Sequence, residues 1–349
     1  MILTITEAQR LVEQSMESVG HTEAEARIIA DHLIDCELRG LAFGGVARAL
    51  SIIERITSTP TPPSPIALTR ETFVSAQFDG GDQVGYLVAD RATDAAIEKA
   101  RTMGIAVVGA NNTWYTGMFS YYLERITAAG FMGIIAGSGA HIVAPHGGTE
   151  ARFGTNPIAF GFPSTTGPII WDVGTASVML GEILVAMRLG QPIAEGLGYD
   201  REGEPTVNPQ AALSGAFTVW GGHKGSGLAL VVQLLGMMTG AAAAPVGISD
   251  CGFFVLAVDP ELFGSADDFQ ARVAEYAESI RSTRPVDAQT PVRVPFDRSI
   301  AERSRRQAEG TLNILDPVYV ELQRISQGAA VEAKSENPQD TINRLINER

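Results

Sequence analysis

Apolar residues recur at helical intervals through the first 57 positions. Thr6 to Gln9 and Thr22 to Glu25 both have the spacing of a capping box. Ala8, Leu11 and Val12 follow the first; Ile28, Ile29, Leu33 and Ile34 follow the second. The proline-rich run TSTPTPPSPIALT, residues 57–69, breaks the pattern and predicts an extended connection. From about residue 70 the texture alternates. TFVSAQFDG, IAVVGANN and FMGIIAGSG read as strands, with amphipathic helices between them in YLVADRATDAAIEKARTMG and MFSYYLERITAAG. Further strands are expected in PIAFGFPS, GPIIWDVG and CGFFVLAVD, and helices over 224–240, 266–284, 298–309 and 339–348. Alternation of this kind predicts an α/β arrangement.

The chain has 349 residues, 45% hydrophobic and 19% charged, enough apolar residue for a substantial core. A net charge of −14 repels phosphate backbones, so no nucleic-acid partner is expected. The two cysteines, Cys36 and Cys251, lack metal spacing and read as reduced thiols of a cytoplasmic protein. The N-terminus MILTITEAQRLVEQ lacks the basic start and apolar block of a signal peptide. The long uncharged run over 225–248 contains Gln233, several glycines and Pro245. It is expected to be a buried helix followed by a loop, not a membrane span. There is no internal repeat. AGSGAHI lacks the third glycine of a dinucleotide fingerprint, and GGHKGSG lacks phosphate-loop spacing. The five histidines show no metal spacing, and no metal site is expected.

Four segments combine glycine, polar residues and isolated charges: RGLAFGGVARAL (39–50), VAPHGGTEARFGTNPIAF (143–160), WDVGTASVMLGE (171–182) and WGGHKGSGLAL (220–230). With YDREGEPTVNPQAAL between the last two, this ordered set resembles the malate/L-lactate dehydrogenase family that lacks a Rossmann domain. Its members include ureidoglycolate and sulfolactate dehydrogenases and the Δ1-piperideine-2-carboxylate/Δ1-pyrroline-2-carboxylate reductases. The resemblance runs from about residue 5 to about 310. It implies a helical part built from both chain ends beside an α/β part with a mixed sheet. The expected division is 1–65 (helical), 66–290 (α/β, NAD(P)-binding) and 291–349 (helical, packing with the N-terminal part). It also implies a homodimer, a small carboxylate-bearing substrate, and NADPH or NADH, with NADPH taken first although no reader of a 2′-phosphate is identified.

The family usually carries R-G-x-x-S-H-G-V-x-R where this chain has Arg39 to Arg48, with the histidine as proton donor and the second arginine on the substrate carboxylate. Here Phe43 replaces the serine and Gly44 the histidine. In NTWYTG, residues 112–117, Trp114 and Tyr115 stand where histidines are common. Hydride addition to a ketone creates an alkoxide and needs a proton donor; loss of a general acid costs about 10²–10⁴-fold. Hydride addition to a protonated imine yields a neutral amine and needs none. The resemblance thus points first to a reductase of cyclic 2-imino acids. Arg48 would bind the carboxylate and Asp172 would favour the iminium. Tyr115 is a competing phenolic donor for the second reading, a 2-oxoacid/2-hydroxyacid dehydrogenase with a substituted donor. A third reading is a family member that has lost catalysis and binds only cofactor or a partner. Thr155, Phe43 and Gly44 are expected at the substrate, with Trp114 and Phe43 on an apolar wall. Thr155 and Asn156 read equally well as an Asx-type turn before Pro157. Ser138, Asp172, Val173, Gly174, Thr175, His223, Lys224 and Asp297 are expected at the cofactor. His141 and His146 have no support as catalytic groups.

Overall fold

The computed structural model describes residues 1–245 and 247–329; the helix expected over 339–348 lies outside them. A short strand β1 (Ile2–Thr4) leads into α1 (Ile5–Glu17), α2 (Glu23–Leu38), a 3-10 turn over Ala42–Gly44 and α3 (Val46–Ser58). Thr22 and Glu25 form the expected capping box. The first box is shifted: Thr4 and Glu7 form it, because the chain leaves strand pairing at Thr4 and turns helical at Ile5. The proline-rich connection runs out into the edge strand β2 (Ala67–Glu71). The order then is β3 (Ser75–Val84), α4 (Gly85–Met103), β4 (Ile105–Trp114), α5 (Phe119–Ala128), β5 (Met132–Gly137), β6 (Ile158–Phe162), β7 (Ile169–Val173) and α6 (Leu180–Leu189). A small strand pair, β8 (Gly198–Tyr199) and β9 (Ala216–Phe217), encloses α7 (Pro209–Ser214). The described chain ends with α8 (His223–Met238), β10 (Phe253–Val258), α9 (Ala266–Arg281), α10 (Asp297–Glu309), β11 (Thr311–Asn313) and α11 (Asp316–Ser326).

Seven strands form one mixed sheet in the order β2-β3-β4-β10-β5-β6-β7. Only β3 and β4 run parallel, joined by α4 as the crossover. The late strand β10 inserts antiparallel between β4 and β5, a pairing that local periodicity does not reveal. One face carries α4 and α5 over a core that includes Ala92, Ala96, Tyr122, Leu123 and Val255. Gly133 and Gly137 bring α5 close: a Cβ at either would stand 2.6 or 2.7 Å from Leu123 or Phe119. The other face carries α8 through Val232, Leu228 and Leu235. The run expected as a buried helix is therefore buried on one side only. Leu230, Val231, Leu234 and Met238 are about half exposed or more on its outer side. No helix among the described residues is long and apolar enough to cross a membrane.

The first and last described segments meet beside this sheet. β11 pairs with β1, and Leu312, Val318, Leu322 and Ile325 share a core with Leu11, Val12, Ile29 and Ile52. The sequence pattern left α11 unassigned; its apolar positions face α1 and α3 over only three turns.

The helical and sheet-bearing parts are joined by buried charge. Arg39, at the end of α2, is fully buried. It donates to Asp35 at 2.6 Å, to Glu124 of α5, and to Ser299 of α10 at 3.1 Å. Arg303 of α10 reaches the same carboxylates, at 3.3 Å from Asp35 and 2.7 Å from Glu124. Removing one member of such a knot strands charge in a desolvated place. Arg39→Met is therefore expected to lower the unfolding free energy by about 3 kcal/mol, read from urea titration. A midpoint equal to that of the wild type would show that the knot does not hold the two parts together.

Candidate functional site

A cavity of about 490 Å³ opens where α2, the 3-10 turn, α3, the loop after β4 and the end of β7 converge. Arg48 stands in the first turn of α3. That turn is anchored by Glu37, whose carboxylate accepts from the Val46 N–H at 2.9 Å. The Gly44–Gly45 pair divides its work. A Cβ on Gly45 would lie 2.5 Å from the Glu37 carboxylate, so glycine is demanded there. A Cβ on Gly44 would meet only the Cys36 Sγ, at 3.7 Å, and the backbone there is not left-handed. Nothing in the fold requires glycine at 44; a side chain is simply missing from the cavity wall.

The Arg48 guanidinium lies over the Tyr115 ring at 4.5 Å, and its Nη1 is buried without a hydrogen-bond partner. Leaving a charged donor unpaired costs more than the roughly 1–3 kcal/mol of a neutral group. The guanidinium as a whole lines the cavity, where an acceptor could meet it. A carboxylate suits the planar fork.

Asp172 faces the same cavity from β7. Its carboxylate accepts from the Ser120 N–H at 2.8 Å, at the start of α5, where the helix end favours negative charge. Burial pushes its pKa up, and the hydrogen bonds from Ser120 and Phe119 pull it back. Burial likewise raises the Tyr115 phenol, against the nearby Arg48 charge. Cys36, beside the missing side chain, is raised by burial and by the carboxylates of Asp35, Glu37 and Asp172.

Phe43, Gly44, Arg48, Tyr115, Ser138, Thr155, Asp172 and Gly174 all line the cavity. Ser138 accepts from the Gly252 N–H at 3.2 Å. Thr175 lies behind the wall, its hydroxyl donating to the Thr155 and Asn156 carbonyls at 3.0 and 3.1 Å. Val173 packs toward α8. His223 and Lys224 form the exposed first turn of α8, away from the cavity. Asp297 is held by Arg281 at 2.8 and 3.0 Å, and its pKa is lowered by that bond; its neighbours Phe296 and Arg298 line the cavity instead. Trp114 does not join Phe43 on the wall. The strand turns it inward, where its Nε1 donates to the Asp82 carbonyl at 2.9 Å. Neither His141 nor His146 lines the cavity. Among the described residues no group of three His, Cys, Asp or Glu side chains is placed to hold a metal ion.

Sequence reasoning passed over Cys36 and Tyr86, which carry no motif signal. It also read Asn156 too weakly. The Asn156 amide donates to the Ala229 carbonyl at 2.9 Å and to Gln233 at 3.0 Å, while its Oδ1 stays buried without a donor. The strain is local as well: Tyr115, Asn156 and Phe296 all line the cavity at positive φ (52°, 37° and 81°), as expected where surrounding packing over-determines a site.

Comparison with known proteins places the chain in a family. The malate/L-lactate dehydrogenase family pattern matches residues 3–323. An L-sulfolactate dehydrogenase of Methanothermobacter thermautotrophicus is 31% identical over 89% of this chain and 92% of its own. A Δ1-pyrroline-2-carboxylate/Δ1-piperideine-2-carboxylate reductase of Pseudomonas aeruginosa is also 31% identical, over 88% and 94%. Among solved structures, a dehydrogenase from Sinorhizobium meliloti superposes with a TM-score of 0.86 at 28% identity, covering 93% of this chain and 98% of that one.

Burial raises the Glu37 pKa to about 7 despite the Val46 N–H and Arg306. A carboxyl whose folded pKa lies above its unfolded value adds stability below the unfolded value. It loses that stability as pH rises through the folded one. Stability contributed by Glu37 is thus expected to fall between about pH 4.5 and 7, by up to about 3 kcal/mol. Glu37→Gln should flatten this dependence and gain on the wild type as pH rises from 5 to 8, measured by urea unfolding at each pH. Parallel curves for the two proteins would show that Glu37 does not titrate in this window.

Proposed function

The chain belongs to the malate/L-lactate dehydrogenase family, oxidoreductases that use a nicotinamide cofactor, and from that premise we propose that it reduces a small carboxylate-bearing imine of the cyclic 2-imino acid type. The observation that carries the reading is the pairing of an unpartnered buried Arg48 Nη1 with an Asp172 carboxylate across a cavity whose acid position is glycine. Arg48 binds the substrate carboxylate. Asp172 supplies negative charge that favours the protonated C=N, so no proton donor is needed at the reacting carbon–nitrogen bond. The aromatic wall of Phe43 and Tyr115 keeps water from the charged pair.

The residues present fit a nicotinamide. The orphaned Asn156 Oδ1 is an acceptor for a carboxamide N–H, with Ser138, Thr155 and Gly174 on the same wall. When bound, NADPH or NADH supplies the hydride; position and field come from the protein. NADPH is our first choice. The half-exposed apolar stripe of α8, Leu230, Val231, Leu234 and Met238, supports a homodimer in which a second copy covers it. The two unpaired thiols fit a cytoplasmic setting.

A 2-oxoacid/2-hydroxyacid dehydrogenase is the second reading, favoured by the phenol of Tyr115 beside Arg48. Steady-state oxidation of NADPH separates the two. The cyclic imino acid is expected to give kcat/KM at least about 100-fold above pyruvate or oxaloacetate, and a preference for the ketones would overturn the imine. Arg48→Gln should raise KM for either substrate class by about 100-fold, with binding of cofactor alone unchanged. For the dimer, Leu234→Lys is expected to convert the species seen in sedimentation from dimer to monomer. A wild-type monomer would overturn that assignment.

A further inference from the structure

Tyr86 is the second residue of α4 and only 2% exposed, yet it lines the cavity. Its ring is locked. It meets His32 edge-on with centroids 4.7 Å apart, and the Gly117 backbone presses on its edge, so close that a Cβ there would lie 2.6 Å from its ring. Two other tyrosines surround His32, and one of them shows what a satisfied phenol looks like here: Tyr122 donates to the Thr116 carbonyl at 3.0 Å. The Tyr86 hydroxyl has no hydrogen-bond partner among the described residues. It is not among the fully enclosed orphan atoms either, so it keeps contact with the cavity. A fixed ring that holds an unpartnered hydroxyl at a cavity wall is arranged for a ligand atom.

The neighbours identify which atom. Arg48, Cys36 and Tyr115 act on Tyr86 from the cavity side, with His32 and Tyr122 packed behind it, and Cys36 in turn feels Asp172. Tyr86 thus belongs to the end of the cavity where Arg48, the open wall at Gly44 and Asp172 meet, the end at which the reacting group of a carboxylate-held substrate must sit. Burial keeps the phenol protonated, so it acts as a neutral hydroxyl, with lone pairs to accept and a proton to share.

We propose that the Tyr86 hydroxyl contacts the reacting heteroatom of the substrate, accepting a hydrogen bond from the N–H of a cyclic iminium. The assignment rests on the imine reading for the identity of that atom; on a 2-oxo acid the same O–H donates to the carbonyl oxygen. No proton leaves Tyr86 in either case. Its contribution is orientation of the C=N face and partial replacement of water around the cation.

Tyr86→Phe removes one oxygen and leaves the ring on His32. With NADPH and a cyclic imino acid, it is expected to lower kcat/KM by about 10- to 100-fold. Thermal midpoint, cofactor affinity and the shape of the pH–rate profile should stay as in the wild type. A disturbed Asp172 would instead move that profile. Tyr115→Phe, measured alongside, should cost less. Turnover of Tyr86→Phe within twofold of the wild type would overturn the role of Tyr86 and leave the imine reading standing. If the wild type reduces only 2-oxo acids and Tyr86→Phe still falls tenfold, the imine reading fails and the contact stands, made to oxygen. A wild type that reduces neither class overturns both.

Discussion

The structure depends on one buried charge arrangement: two guanidinium groups and two carboxylates where α2, α5 and α10 meet. Arg39 and Arg303 share Asp35 and Glu124, so each charge has opposite neighbours and none is left to bear desolvation alone. The cavity walls hang from the same three helices. Cys36 follows Asp35 on α2, Ser120 lies in the first turn of α5, and Ser299 of α10 accepts from Arg39 of the knot. A shift of any one helix would move a wall and break an ion pair at once. This couples the position of the cavity to the helical part formed by the first and last described segments.

What the knot holds is a cavity with deliberate imbalance. Buried polar atoms in natural proteins are generally satisfied. Among the described residues four side-chain atoms are buried without partners; His21 Nε2 and His32 Nδ1 are two of them, and the other two, Arg48 Nη1 and Asn156 Oδ1, belong to residues of this one wall. One is a donor and the other an acceptor. On the proposed reading, the residues that carry them would meet an anion at one and an N–H at the other. Three residues at positive φ in the same wall say that packing, not local preference, sets its shape.

Local signals made much of the fold legible. The Thr22–Glu25 box, the alternation from residue 70 and the helix after Gly222 could each be read from residues within a turn or two of one another. Insertion of β10 between β4 and β5 could not, because its partners lie more than a hundred residues away. Nor could the site be completed from motifs. Arg48 and Asp172 were legible because they sit in ordered, recognisable segments. Tyr86 sits in an ordinary amphipathic helix, and only the fold shows that its hydroxyl is unpaired. Lys224 and Asp297, conspicuous in sequence, do not line this cavity; one is exposed and one is held by Arg281.

Loss of the usual imidazole at position 44 then reads as a change of electrostatic task. A carbonyl becomes more negative as hydride arrives, and a wall carrying Asp172 with no acid opposite it opposes that development. An iminium becomes less charged along the same coordinate. On the proposed imine reading, Asp172 would stabilise it before reaction and would have to release part of that stabilisation on the way to the amine, so too strong an interaction would slow the step. The geometry moderates this. Part of the carboxylate's charge is committed to the Ser120 N–H at the start of α5, and a neutral hydroxyl in place of a second anion adds orientation without deepening the well. One moderated carboxylate, one phenol that burial holds protonated and one guanidinium on the far group would, on the proposed reading, suit a substrate that arrives already holding the proton.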